Sequence, residues 1–340
     1  MYTLRVDPGA VPERLRGPTH TQEAALTDSL AQAPSETANV HRGDPSGRFQ
    51  FTTAVRQQRP ARILLDGPPG AGTLYTSLAL ATSIGDRVAV IDAQRGRSRA
   101  YADTFTFDAC PPLSYCSPDT LITMLAHCAD QRYDTVVVSP LSAFWIRPGG
   151  IREQVARASK RSASGKWSAW DEVRPIETQM LEALLGYPGH VIATVRDKLE
   201  YVAGPDENGR FTRQIIGLAP IGREGMEYEW DIVATMDNSH TLVVVKAPTE
   251  DLSGHIETKP GARFASGIKS WLDTGEPVQP PYDLADEALQ SSATFEELAD
   301  LMNRVRLRQA EGHPLLLPSG KGTTLGAHIA QRGNELRRES

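Results

Sequence analysis

The stretch that decides the fold is residues 62–74, which read RILLDGPPGAGTL. Residues 62–66 are a short apolar run closed by a glycine-rich turn, which is typical of a buried strand. Residues 75–84 then continue with the pattern of a helix. A strand, a glycine loop and a helix in this order form a βα unit, in which backbone amides at the start of the helix cradle phosphate groups.

Apolar runs and helical segments continue to alternate after this unit. Strands are predicted at residues 87–92, 134–138 and 190–195, and helices at residues 119–131, 171–185 and 295–308. Continuous valine and isoleucine runs between helices indicate a buried, largely parallel sheet. Two hairpins, 199–202 with 211–216 and 232–236 with 241–246, are predicted at one edge of the sheet. The fold class is therefore α/β.

Composition along the chain predicts three regions. Residues 1–48 carry prolines among polar and charged residues and are expected to form a disordered or loosely attached arm. Residues 49–277 hold the α/β core. Residues 278–340 begin with a proline-rich linker and continue as a small helical region.

Charge and cysteine content exclude several classes of protein. The formal net charge of −6 means that any contact with nucleic acid must come from a local basic patch. The three cysteines, Cys110, Cys116 and Cys128, include no C-x-x-C pair, so neither a disulfide framework nor a metal site is predicted. No apolar stretch reaches the 18 residues of a membrane span. A cytoplasmic protein without membrane contact is expected.

The glycine loop matches the spacing of the phosphate-binding motif G-x-x-x-x-G-K-[ST] but not its last two residues. Those positions, which should supply a lysine for the phosphates and a hydroxyl for Mg²⁺, hold Thr73 and Leu74. A dinucleotide-binding G-x-G-x-x-G motif starting at Gly70 remains an alternative, although Tyr75 stands at its third glycine. A tight turn without a ligand is the other alternative. The candidate nucleotide-binding residues are Gly67, Pro68, Pro69, Gly70, Ala71, Gly72, Thr73 and Leu74.

Six segments of the chain resemble one known family. They are residues 67–72, 90–96, 101–103, 142–145, 190–198 and 225–231, the last reading GMEYEWD. With these segments the chain resembles the RecA-like P-loop ATPases of phages and prophages, AAA-family ATP-binding proteins that include single-strand annealing recombination proteins. The resemblance implies a RecA-like P-loop core and a role in DNA recombination or replication.

The resemblance also implies catalytic residues that this chain lacks. An aspartate that holds magnesium is expected where Ser139 ends its strand, and a glutamate that orients water is expected where Gln94 stands. A basic pair is expected near residues 245–248, where Lys246 is present but Pro248 replaces an arginine. A pseudo-ATPase is therefore predicted, with weak ATP binding, doubtful Mg²⁺ binding and no turnover. Two alternatives stay open: an active ATPase that recruits Lys198, Lys246 or a neighbour's residue, and a structural protein that binds no nucleotide.

The segment of residues 147–166 is strongly basic within an acidic protein. It carries six basic residues against one acidic residue, Glu153, and it follows the third predicted core strand. Basic charge beside aromatic rings suits single-stranded DNA, so a mobile DNA-binding loop is predicted. The alternative is a solvated loop that Trp167 and Trp170 anchor to the core. The candidate DNA-binding residues are Arg152, Arg157, Lys160, Arg161, Lys166 and Trp167.

A subunit contact is predicted around the GMEYEWD segment. RecA-like ATPases bind nucleotide between subunits, so the resemblance assigns Glu227, Tyr228 and Lys246 to an interface. The expected partner is a second copy of the chain or a related, competent ATPase.

Overall fold

The computed structural model describes residues 53–161, 166–205, 211–290 and 294–339. Residues 55–340 belong to one compact unit. The predicted N-terminal arm, residues 1–48, lies outside the described residues. The segment 162–165 and the turn 206–210 of the first predicted hairpin lie outside them as well.

The described residues form twelve strands and nine α-helices. The strands are β1 (Arg62–Asp66), β2 (Val88–Asp92), β3 (Asp108–Ala109), β4 (Thr135–Ser139), β5 (His190–Thr194), β6 (Asp197–Pro205), β7 (Phe211–Pro220), β8 (Ile232–Met236), β9 (Thr241–Lys246), β10 (Ile256–Thr258), β11 (Pro314–Leu316) and β12 (Gly322–Thr324). The helices are α1 (Thr73–Ile84), α2 (Pro118–Asp130), α3 (Ala143–Ile146), α4 (Ile151–Arg161), α5 (Lys166–Leu185), α6 (Ala262–Leu272), α7 (Tyr282–Ala288), α8 (Phe295–Leu307) and α9 (Leu325–Glu339).

The core is an eight-stranded sheet in the order β10-β9-β8-β1-β5-β4-β2-β3. The strands from β8 to β3 run parallel, while β9 and β10 are antiparallel to their neighbours. Strands β1, β2 and β4 are buried along their whole length, because helices cover both faces of the sheet. One face packs against α1 and α6, and the other packs against α2, α3, α4 and α5. The predicted α/β fold with a largely parallel sheet is confirmed.

Strand order decides between the two phosphate-binding alternatives. In the usual dinucleotide-binding order, 3-2-1-4-5-6, the first two strands are neighbours. Here β5 and β4 stand between β1 and β2. This order is that of a P-loop core and not that of the dinucleotide-binding alternative.

Only one of the two predicted hairpins lies at the edge of the main sheet. Strands β8 and β9 are paired there as expected, and β10 continues the edge. Strands β6 and β7 instead form a separate two-stranded sheet, so their predicted edge position is wrong. The reason is that β1 already pairs with β5 and β8, β9 takes the other side of β8, and β10 takes the other side of β9.

The basic segment is helical, and the prediction of a loop is wrong in its described part. Helix α4 begins at Ile151 and buries Ile151, Val155 and Ala158, which are spaced four and three residues apart on one face. Helix α5 begins at Lys166, five residues earlier than predicted, and it runs through Pro175.

Arg62 is a buried cation at the start of β1. Its guanidinium donates hydrogen bonds to the carbonyl oxygens of five residues, Pro60, Ala61, Leu185, Tyr187 and Gly189. Burial lowers the pKa of Arg62 to about 10, and the nearby Asp231 acts in the opposite direction. Asp231 also accepts a hydrogen bond from the Arg62 amide at 3.0 Å. These bonds join β1 to the chain before β5 and to the end of the GMEYEWD segment.

The C-terminal helices have a small apolar core of their own, in which Leu284, Leu301 and Ile329 are buried. The sequence prediction missed the hairpin of β11 and β12 in this region. The hairpin lies against α2, where the Gly322 amide donates to Thr123 Oγ1 at 3.0 Å. In the described part of the chain no helix is long and apolar enough to cross a membrane.

Candidate functional site

A pocket of about 1000 Å³ opens at the carboxyl ends of the parallel strands. The glycine loop after β1 forms its floor, and the ends of β5 and β8 contribute Thr194 and Met236. Ligands of open α/β sheets bind at this edge, in the crevice outside the carboxyl ends of the strands. The pocket therefore lies where a nucleotide is expected. It also has the size of a small-molecule site.

Two glycines of the loop are required by the backbone. A Cβ atom on Gly67 would stand 2.7 Å from the Met236 carbonyl oxygen, closer than real Cβ atoms approach. Gly72 has a φ of +92°, and a Cβ there would stand 3.1 Å from His240 Nδ1. The loop thus needs glycine at both positions, first to pass β8 and then to turn into α1.

The start of α1 presents free amides to the pocket. Gly72 caps the helix without a side-chain hydrogen bond, and the first turn has no acidic residue. The described residues supply no acceptor for the amides of Gly72, Thr73 and Leu74. Unpaired amides and the positive end of the helix dipole together attract an anion such as a phosphate.

The two residues that depart from the P-loop motif have different environments. Thr73 lines the pocket at the position of the motif's lysine. Leu74 also touches the pocket, but it is only 8% exposed and belongs to the apolar cluster between α1 and the sheet. The residue that would supply a hydroxyl to magnesium is therefore part of the core.

Ser139 and Gln94 form a closed polar network beside the pocket. Ser139 is buried, and its Oγ lies 2.8 Å from Thr194 Oγ1 and 3.2 Å from Gln94 Nε2. Gln94 Oε1 accepts from Arg97 Nη1 at 3.4 Å. Ser139 does not line the pocket, whereas Gln94 does. The oxygen atoms of this network bond protein groups, so the residues present do not fit a magnesium ion held in the usual P-loop manner.

The comparison with known families rests on the same part of the chain. A family model described as an AAA domain matches residues 59–268, which is more than half of the chain. The chain belongs to the AAA domain family. The match runs from just before β1 to within α6 and includes the whole glycine loop and pocket floor. No curated protein matches the chain.

Three cations line the pocket of the AAA domain, and the sequence prediction missed all three. They are Arg97, Arg196 and Lys259. Arg97 follows β2 and Arg196 follows β5, so each comes shortly after the carboxyl end of a core strand. This position after a core strand is the sequence signal that could have indicated Arg97 and Arg196 as pocket residues. Lys198, which the sequence offered as a substitute cation, does not line the pocket.

Aromatic side chains form one wall of the same pocket. Tyr75 of α1 meets Tyr101 and Phe105 edge to face, with ring centroids 5.8 Å and 5.1 Å apart. All three line the pocket, and Tyr75 is 45% exposed. Exposed ring surface next to the glycine loop suits a planar base.

A carboxyl pair with raised pKa values lies near the glycine loop. Burial and the charge of Asp66 raise the pKa of Asp197 to about 6. Burial also raises the pKa of Asp66, which ends β1, while a hydrogen bond with Thr235 acts against this rise. In the described part of the chain, Oδ1 of each residue is buried without a hydrogen-bond partner. The ionised pair therefore destabilises the fold.

We expect Asp197→Asn to raise the free energy of unfolding at pH 7 by about 1 kcal/mol, after solvent screening is allowed for. An aspartate pKa that is higher in the folded than in the unfolded chain makes wild-type stability fall as the pH rises from about 4 to about 6. Asparagine does not ionise, so the two proteins should be equally stable below pH 4. Urea unfolding at several pH values measures this, and an equal difference at every pH would contradict it.

The predicted DNA-binding residues are divided between α4 and the start of α5. Arg152, Arg157, Lys160 and Arg161 lie exposed on α4. Two of them form ion pairs, Arg157 with Glu153 and Arg161 with Glu172. Lys166 is the first residue of α5, but the structure does not describe its side chain or that of Trp167.

Arg147 has a structural role and does not belong to the basic surface of α4. Its guanidinium donates hydrogen bonds to the carbonyl oxygens of Ala93 at 2.5 Å and Leu113 at 3.1 Å. Of the two tryptophans proposed to anchor the segment, Trp170 packs against the core.

The predicted subunit contact lies away from the pocket, near the amino ends of the parallel strands β1 and β8. Tyr228 is 79% exposed at the short 3-10 turn Met226–Glu229. Lys246 ends β9 and donates to the Tyr228 carbonyl at 2.6 Å and to the Glu227 carbonyl at 3.4 Å. Lys246 thus holds this turn to the sheet and does not line the pocket.

Proposed function

We propose that this AAA domain binds a nucleoside triphosphate in the pocket over the glycine loop and does not hydrolyse it. The observation that carries the proposal is the set of unpaired amides at Gly72, Thr73 and Leu74, which open onto a pocket of about 1000 Å³. Uncapped helix starts also occur at α6 and α7, so the support comes from the uncapped amides together with the glycine loop that aims them into a large pocket. Membership of the AAA family supports nucleotide binding independently.

The aromatic wall supports a nucleotide over a simple phosphate. Tyr75, Tyr101 and Phe105 offer ring surface in the same pocket as the amides. The base of a nucleotide can stack on such rings, because every base has a flat aromatic face. The phosphates of the same nucleotide can then reach the loop. We propose ATP as the nucleotide, bound weakly because Thr73 replaces the usual lysine.

Loss of hydrolysis follows from the side chains around the pocket. No lysine clamps the phosphates at Thr73, and Leu74 offers no oxygen to a metal. Gln94 cannot accept a proton from water, and its amide is bonded to Ser139 and Arg97. Loss of a general base alone costs about 10² to 10⁴ in rate, and the missing metal ligands add to that loss.

Phosphate release from ATP tests this point. The wild-type protein should release no phosphate above background, with or without Mg²⁺. Thr73→Lys should strengthen ATP binding by about tenfold, because it adds a charged hydrogen bond, and should leave turnover absent. Steady phosphate release by the wild type would contradict the proposal and favour an active ATPase. A variant with Thr73→Lys that hydrolyses ATP would show that the lysine was the only missing part.

A second candidate function is binding of single-stranded DNA through α4. Its support is the exposed basic face of Arg152, Arg157, Lys160 and Arg161 on one short helix. The ion pairs with Glu153 and Glu172 are exposed, so phosphates can replace these carboxylates at little cost. The resemblance to phage recombination ATPases supports the same partner.

Salt dependence measures the number of phosphates bound. If about four phosphates are neutralised, the logarithm of the binding constant should fall with the logarithm of salt concentration with a slope of roughly −3. Changing the four basic residues of α4 to serine should flatten this slope. The control changes two basic residues, Arg263 and Lys269, on α6, which covers the other face of the sheet, and it is compared with a variant that changes only Lys160 and Arg161 on α4. An unchanged slope in the α4 variant would show that this helix is only a solvated surface.

We also propose that the surface around Glu227 and Tyr228, just before β8, contacts another subunit, either a second copy or a competent ATPase. The support is the exposed Tyr228, held on a turn that Lys246 fixes. Sedimentation at micromolar concentration should show an assembly that Tyr228→Ser weakens. A monomer at every concentration, with and without ATP and DNA, would contradict this.

A further inference from the structure

A nucleoside triphosphate brings several negative charges, and the glycine loop meets them with dipoles alone. Backbone amides orient phosphates, but charge neutralisation in P-loop proteins comes from cations. At the lysine position this chain has Thr73, which carries no charge. The proposed nucleotide therefore needs cations from elsewhere in the pocket.

Arg97 enters the pocket from the strand that ends beside Gln94. It opens the short 3-10 turn Arg97–Tyr101, directly after Gly96, whose φ is +83°. Its guanidinium is exposed, and its one hydrogen bond among the described residues is the long contact of 3.4 Å with Gln94 Oε1. No described carboxylate pairs with it, so its charge is available to a ligand.

Arg196 enters the pocket from β5, the strand next to β1. Its backbone is fixed on both sides, because its amide donates to Ser142 Oγ at 3.3 Å and its carbonyl accepts from the Ile221 amide at 2.8 Å. The side chain is exposed and lines the pocket, and within the described residues it has no ion-pair partner. A fixed backbone with an unpaired guanidinium suits recognition of an anion.

Both arginines come from the same side of the glycine loop. Strands β5, β4 and β2 follow β1 in that order, so Arg196 and Arg97 stand on the side of the loop away from β8. Lys259 comes from the opposite side, where its amide donates to the His240 carbonyl at 2.7 Å. Two guanidiniums on one side of a phosphate cradle can each bind phosphate oxygens in a fork.

We propose that Arg97 and Arg196 together bind the polyphosphate of a nucleoside triphosphate and replace the missing P-loop lysine. This inference rests on the proposed nucleotide binding. It predicts that the preference for ATP over AMP comes mainly from the two arginines. ATP should bind at least tenfold more tightly than AMP, because AMP lacks the phosphates that the arginines reach.

The test is calorimetric titration of the full chain with ATP and with AMP. Arg97→Gln and Arg196→Gln should each weaken ATP binding by about tenfold, and the double variant should bind ATP no better than AMP. Arg99→Gln is the matched control. Arg99 lies two residues from Arg97 in the same turn but does not line the pocket, so its loss should leave both affinities unchanged. Thermal unfolding checks that every variant is folded.

Different failures of this test have different meanings. A wild type that binds neither nucleotide would overturn the proposed function, and this inference with it. A wild type that binds ATP, with a double variant that binds ATP equally well, would overturn the arginine pair alone. A loss in Arg99→Gln as large as that in Arg97→Gln would also overturn it, because general charge and not contact would then explain the effect.

Discussion

Gly72→Val is expected to lower the affinity for ATP by at least a hundredfold. The φ of +92° at Gly72 is costly for any residue with a Cβ and most costly for a β-branched one. The new Cβ would also stand 3.1 Å from His240 Nδ1, so either the loop or the His240 turn must shift. Either movement displaces the amides of Thr73 and Leu74, which are proposed to donate hydrogen bonds to the phosphates.

The control for this variant is Gly320→Val in the turn between β11 and β12. Gly320 also has a positive φ, +80°, but a Cβ there meets nothing within 4 Å. Both variants carry similar backbone strain, so Gly320→Val measures the loss of stability that this strain alone causes. Only Gly72→Val should lose ATP in a fluorescence titration. Equal ATP affinity in Gly72→Val and wild type would show that the loop does not hold the nucleotide.

Arg62→Met is expected to lower the free energy of unfolding by about 3–5 kcal/mol. The guanidinium satisfies five buried or partly buried carbonyl oxygens, and methionine fills its volume without offering a donor. The substitution also removes the cation near Asp231, which faces the start of β1. The loss should be visible as a lower midpoint in urea unfolding at an unchanged slope.

Arg59→Met is the matched control, because Arg59 is exposed three residues earlier. This surface change should alter stability by no more than about 0.5 kcal/mol. A loss below 1 kcal/mol in Arg62→Met would show that water or backbone movement satisfies the carbonyls instead.

Local patterns predicted the sheet well because its strands are short apolar runs bounded by turn residues. Strand β1 lies at residues 62–66 as predicted, and glycine at position 67 marks its end. The predicted helix at 171–185 places Pro175 at its N-terminal turn or at a local break, whereas the observed α5 begins at Lys166 and has Pro175 in its interior. Packing of Ala169 and Val173 on the core keeps the longer helix despite that proline.

The candidate site was only half visible in the sequence. The glycine loop is one continuous stretch with its own spacing, so it could be found. Arg97, Arg196 and Lys259 are far apart in the chain, and only the strand order brings them to one pocket. Sequence spacing carries no record of that order, so Lys198 and Lys246 were proposed as substitute cations in their place.

The most direct test of the central claim is equilibrium binding of ATP to the full chain, measured with excess Mg²⁺ and again with a chelator. Saturable binding of equal strength in both conditions is expected, because Leu74 and Ser139 offer magnesium no free oxygen while the loop amides need no metal. The ATP should be recovered intact. Absence of saturation at millimolar ATP, or binding that requires Mg²⁺ and yields ADP, would contradict a nucleotide-binding AAA domain without hydrolysis.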